Sequence, residues 1–157
     1  MAGTSIVGKN CKVALGSTTV IGMGTWNMDG ITTDQYESTE LGDLWKTYEF
    51  GCKDGGTITF NGLYKVGVDT AAQATLRKAQ IADPPTNITN LRLYINNTSY
   101  YEPCQTSGYW EPGVTGSAGY GTVLSHVNIT SCPIGVDKAG LGTASFNAKI
   151  SGVMVLV

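Results

Sequence analysis

The run "GTASFNAKISGVMVLV", residues 142–157, constrains the fold more than any other stretch. Ala144, Phe146, Ala148 and Ile150 alternate with Thr143, Ser145, Asn147 and Lys149. A period of two puts one set on each face of a strand. Such a strand needs a sheet with one apolar face to bury and one polar face that meets water or a partner. "TITFNG" repeats the pattern after the tight turn Asp54-Gly55-Gly56, and "TNLRLYIN" repeats it again, with Leu91, Leu93 and Ile95 on one side and Arg92 and Tyr94 on the other. "TVLSHVNITSC" places Val123, Val127 and Ile129 inward. A first short strand, "CKVALG", and a second, "TVIGMGTWNM", precede them. Asn96-Asn97 makes a turn from "TNLRLYIN" into "TSYYEPC".

One segment has helical spacing. In "DTAAQATLRKAQIA", Ala72, Leu76 and Ala79 share a face. Asp69 or Thr70 caps it, Thr70 with Gln73 forms a capping box, and Asp83-Pro84-Pro85 stops it. The expected fold is mainly β: a β-sandwich or open barrel of about eight strands with one α-helix inserted midway. A chain of 157 residues fits a single domain, 1–157.

Two stretches between these elements are less regular. Asp29-Gly30 is the strongest hairpin signal in the chain and predicts a long hairpin from Thr19 to Leu41. Gly42 to Gly56 lacks a period and reads as a long loop of mixed aromatic and charged residues, and long ordered loops are usually functional. A second, Gly-rich loop spans Gly108 to Gly121.

Charge excludes some functions. Charged residues make up 14% of the chain, against about 25% in an ordinary soluble domain. This fits a surface largely covered by neighbouring subunits, or equally a sandwich rich in Ser, Thr and Asn. The net charge of −2 argues against gripping nucleic acid through its phosphates. The first residues lack an apolar core with basic flanks, so no signal peptide is expected. No apolar run approaches a membrane span, so no membrane insertion is expected. The four cysteines, Cys11, Cys52, Cys104 and Cys132, form no C-x-x-C pair and are expected to be reduced thiols.

No catalytic set assembles. His126 is the single histidine and no nucleophile elbow accompanies it. "GMGTWNMDG" has Asn27 where a dinucleotide loop needs its third glycine. Glu37 and Glu40 match a solvated face as well as a carboxylate pair. The chain is therefore read as not an enzyme, with no cofactor and no metal site. Tyr109, Trp110 and Tyr120 would suit a monomeric, lectin-like ligand-binding module, which is the alternative reading.

"GCKDGGTITFNGLYKVGVDTAAQATLRKA" resembles a pattern of bacteriophage major tail tube proteins of long, non-contractile tails. The matching elements are Gly51, Asp54, Gly55 and Gly56, a polar strand to Tyr64, and a helix led by Asp69. "YESTELGDLWKTYEFG" is similar to that family's polar strand and long loop, and "GLGTASFNAKISGVM" to its final strand. The likeness runs from about Val13 to Val157. The 108–121 loop departs from it, being longer than a minimal member needs.

The resemblance implies a structural virion protein, assembled in the host cytoplasm and located in the tail. It implies hexameric rings stacked into a tube that conducts the genome, DNA passing without specific binding. The implied partners are further copies of the chain, a tape measure protein, and tail terminator and tip proteins. Polar side chains must then line the channel. Thr25, Asn27, Thr33, Gln35 and Glu37 are candidates, as are Thr143, Ser145, Asn147 and Lys149, and either set suits an outward face equally. Asp43, Trp45, Lys46, Tyr48, Glu49, Phe50 and Lys53 are candidates for an inter-ring stacking contact. The competing expectation is that Trp45 and Phe50 close the subunit's own core.

Overall fold

A computed structural model describes residues 11–20, 22–65, 71–106 and 124–157. Among them are twelve strands and one helix: β1 (Lys12–Leu15), β2 (Thr18–Thr19), β3 (Met23–Met28), β4 (Thr32–Glu37), β5 (Tyr48–Asp54), β6 (Thr57–Leu63), α1 (Ala71–Ile81), β7 (Leu91–Tyr94), β8 (Tyr100–Pro103), β9 (His126–Ser131), β10 (Ile134–Val136), β11 (Gly142–Ser151) and β12 (Met154–Leu156). The fold is mainly β, as the alternating patterns require. The count exceeds about eight because β2, β10 and β12 are short and because β5 forms inside the stretch expected to be a loop.

One sheet runs β12-β8-β7-β1-β2. The other runs β10-β11-β6-β3, with β9 also paired to β11. All their pairings are antiparallel. Their apolar faces meet in one core. Val13, Leu91 and Leu93 come from the first sheet, and Ile58, Phe60, Phe146, Ala148 and Ile150 from the second. Phe60 and Phe146 stand opposite one another in the β6–β11 register, and their rings stack at 5.1 Å. Helix α1 adds Ala72, Leu76 and Ala79, the face that its spacing predicts. Its capping residues Asp69 and Thr70 lie outside the described residues, as does Val123. Gln73 fastens the helix to the end of β6: its amide donates to the Leu63 carbonyl at 3.2 Å and its oxygen accepts the Lys65 N–H at 3.4 Å.

The expected Thr19–Leu41 hairpin does not form. β3 pairs with β6, not with β4, and β4 pairs with β5. Asp29-Gly30 is a bend where the chain leaves the sheet, and Asp54-Gly55-Gly56 is the bend where it returns. Gly30 (φ 84°) and Gly56 (φ 86°) face each other there. A Cβ on Gly56 would run into the Gly30 carbonyl, so both the backbone angle and the space require glycine. β3–β6 and β4–β5 are thus the lower and upper halves of one long hairpin, kinked at paired glycines. A local Asp-Gly signal specifies positive φ, and the strand that pairs next is decided by contacts distant in sequence.

Candidate assembly interface

The kink builds an arm. Residues 31–54 run out from the sandwich as the β4–β5 ribbon, which reaches about 20 Å at roughly 3.3 Å per residue. Every residue of β5 is exposed, and so is nearly all of β4. The tip is tied by its own backbone. The Ser38 N–H donates to the Thr47 carbonyl at 2.9 Å, and the Asp43 carboxylate accepts the Glu40 N–H at 2.9 Å. Lys46 pairs with Glu37 at 3.0 Å.

The seven candidates for stacking all fall on this arm. Asp43, Trp45 and Lys46 form the tip, and Tyr48, Glu49, Phe50 and Lys53 lie on β5. Trp45 is 79% exposed and Phe50 70% exposed. The idea that they close the subunit's own core is therefore wrong, because the arm stands clear of the sandwich. Leu41 and Leu44 flank Trp45 and are as open as it is. Sequence reading passed over both leucines, since the segment has no period to mark them.

The lumen candidates divide. Thr25 and Asn27 of β3 and Thr143, Ser145, Asn147 and Lys149 of β11 share the outer face of the second sheet. β6 runs between them and contributes Thr57, Thr59 and Asn61, which sequence reading missed although they alternate with Ile58 and Phe60. The registers make rows across the sheet: Asn27, Thr59, Asn147 and Ser131; and Thr25, Asn61 and Ser145. Side chains bond along the first row. The Thr59 hydroxyl donates to Asn147 Oδ1 at 3.1 Å, and Asn147 Nδ2 donates to the Ser131 hydroxyl at 2.7 Å. Thr33, Gln35 and Glu37 are not part of this face. They sit on the arm, where Gln35 stands opposite Phe50 and Glu37 opposite Tyr48.

Charge on the sheet face is neutralised at the arm's root. Lys149 Nζ donates to both oxygens of Asp54, at 2.7 and 2.8 Å. Asp29 accepts from the Thr57 hydroxyl and, at 3.3 Å, from Asn27. The Lys149 hydrogen bond, followed by one from the Gly56 N–H, holds the Asp54 carboxyl below the usual carboxylate range. A depressed folded-state value means that the pair contributes above the unfolded value and is lost as pH falls through the lowered one, below about pH 4. Lys149→Met is expected to return the Asp54 pKa toward the usual range in an NMR titration. An unchanged pKa would show that the pair is absent in solution. The pair is exposed, so little change in melting temperature is expected.

Tyr109, Trp110 and Tyr120, and the 108–121 loop that carries them, lie outside the described residues. The described cysteines are all free thiols. No helix among the described residues is long and apolar enough to cross a membrane.

No protein-family model and no curated protein sequence matches the chain. Solved structures do match. A chain in the virion of a native gene transfer agent (GTA) particle is 15% identical, with a TM-score of 0.63 over 98% of this chain and 99% of that one. A chain in the tail of an empty GTA particle, described with C6 symmetry, is 16% identical, with a TM-score of 0.61 over 96% of this chain and 97% of that one. A chain of the anti-feeding prophage cap, which terminates a tube, is 13% identical, with a TM-score of 0.56 over 100% of this chain and 93% of that one. The fold of this chain is the one found in these tail and tube-cap assemblies, in agreement with the resemblance of its motifs to tail tube proteins.

Proposed function

We propose that this protein is the structural subunit of a phage-type tail tube, forming hexameric rings that stack into a conduit for the genome. The observation that carries this reading is the end-to-end match to a chain of a tail refined with C6 symmetry.

The surfaces support it. β3 pairs only with β6 among the described residues, so its outer edge offers free peptide groups to a neighbour. Exposed edges are ordinarily protected, and a ring protects them by pairing. The hydroxyl and amide rows of the second sheet make a wettable wall with its lysine neutralised, suited to DNA that must pass without sticking. Under this reading Thr25, Asn27, Thr143, Ser145, Asn147 and Lys149 line the channel, with Thr57, Thr59 and Asn61 between them. Thr33, Gln35 and Glu37 go with the arm, which makes the contact between rings. The tube carries no cofactor and no metal, and performs no catalysis. It sits in the virion tail after assembly in the host cytoplasm, between terminator and tip proteins and around a tape measure protein.

Electron microscopy of the purified protein over a range of concentrations tests the proposal. Rings or tubes of six-fold symmetry are expected. Sedimentation as monomers under all conditions, with no copy of the chain in a virion tail, would sink it. Assembly is expected to be indifferent to mild reductant, because the described cysteines are unpaired. Tubes that dissolve in reductant alone would contradict that expectation.

A further inference from the structure

The arm leaves one end of the second sheet, where β3 ends at Met28 and β6 begins at Thr57. The opposite end of the same sheet carries an apolar patch along its rim, with Leu63 from the outer face beside Thr143, and Ile134 and Val136 from the inner face beside Ala144 and Gly142. Leu63 ends β6, Ile134 and Val136 belong to β10, and Leu141 sits in the turn between β10 and β11; all four are exposed. Val136 is 69% exposed and Leu141 54%. β6 separates the two ends by about 20 Å.

Charge divides along the same axis. The arm, residues 31–54, holds Asp34, Glu37, Glu40, Asp43, Glu49 and Asp54 against Lys46 and Lys53, a net −4 in a chain of net −2, which leaves +2 for everything else. At the far end Lys65 follows Leu63 by two residues, and Lys138 follows Val136 by two. Arg77 reaches the same end, its guanidinium donating to the Tyr64 hydroxyl at 3.4 Å. The nearby Asp137 is engaged in its own turn, accepting the Leu141 N–H at 3.0 Å.

We infer that the acidic, apolar arm tip of one copy docks on the basic, apolar far end of the second sheet in the next copy. Trp45, Leu44 and Leu41 cover the patch of Leu63, Ile134, Val136 and Leu141, while Glu40 and Asp43 meet Lys65 and Lys138. This rests on the tail-tube reading and names the surface that receives the arm. The two patches lie at opposite ends of one subunit, so the contact is head-to-tail and does not close on itself. Repetition yields a filament of unlimited length. Like-charged ends repel, which excludes stacking arm to arm.

Charge reversal tests it on the full chain. Lys65 and Lys138 are exposed, and their side chains have no partner among the described residues, so K65E with K138E should melt as the wild type does. The concentration needed for tubes should rise about tenfold or more. E40K with D43K should do the same. The four changes combined in one chain should restore stacking, as should an equimolar mixture of the two double variants. Val136→Asp reads the apolar half of the contact independently and should also block stacking. If wild-type protein builds tubes and K65E with K138E builds them at the same concentration, this inference falls and the tail-tube reading stands. It falls equally if the fourfold variant melts normally yet stays unassembled. If the wild type forms neither rings nor tubes, both fall together.

Discussion

Replacing Trp45 and Tyr48 by alanine is expected to leave the melting temperature of the isolated subunit unchanged and to abolish stacking into tubes. Both side chains belong to the arm, and the indole of Trp45 is 79% exposed in the free chain. Their removal takes nothing from the core and opens no cavity, so the folded monomer loses little. An aromatic that becomes the centre of an interface behaves differently, since its truncation commonly costs 2 kcal/mol or more. In the proposed tube every subunit of a ring repeats the contact. A loss of about 2 kcal/mol per copy therefore multiplies into one that no small rise in concentration offsets. Circular dichroism melting together with electron microscopy reads both halves. A double variant that melts normally and still builds full-length tubes removes the arm from the stacking contact. One that unfolds would mean that the arm packs on the sandwich in solution.

The opposite outcome is expected for another aromatic of the same chain. Phe146→Ala should destabilise the subunit by about 3–5 kcal/mol, the usual cost of emptying a core phenylalanine site. Phe146 is fully buried, and its ring stacks on Phe60 across the β6–β11 ladder. β11 also binds β9 and β10, so a void at its centre lies where the second sheet is joined. Single domains are stable by only about 5–15 kcal/mol, so the loss is a large fraction of the total. Denaturant unfolding measures it directly. A loss under about 1 kcal/mol would mean that the Phe146 ring is not buried between the two sheets in solution. The polar face of the same strand should be tolerant by comparison: Ser145→Ala removes no core volume and should move the melting temperature little.

These two residues mark what could be read in advance and what could not. Phe146 sits in an unbroken alternation with Ala144, Ala148 and Ile150. Period two in a strand has one physical meaning, a buried and an open face, so the sequence alone determined which side chains of β11 face the core. The same holds for Leu91 and Leu93 on β7 and for Ala72, Leu76 and Ala79 on α1. Six of the lumen candidates came to lie on one face for that reason. The composition added the low charge.

The arm was decided elsewhere. Asp29-Gly30 and Asp54-Gly55-Gly56 both announce positive φ, and positive φ serves a hairpin turn and a bend equally well. Sequence-local chemistry cannot say which strand comes next to which. β3 pairs with β6 because Trp26 and Met28 must bury beside Phe60 and Ile58, and those partners lie some thirty residues away. Once β3 and β6 are joined, the residues between them have no place in the sandwich and can only pair with each other. Thr33, Gln35 and Glu37 were separated from the outer face of the second sheet by that single pairing. Trp45 and Phe50 became surface by it as well, since burial depends on what else arrives at a site and not on the side chain alone.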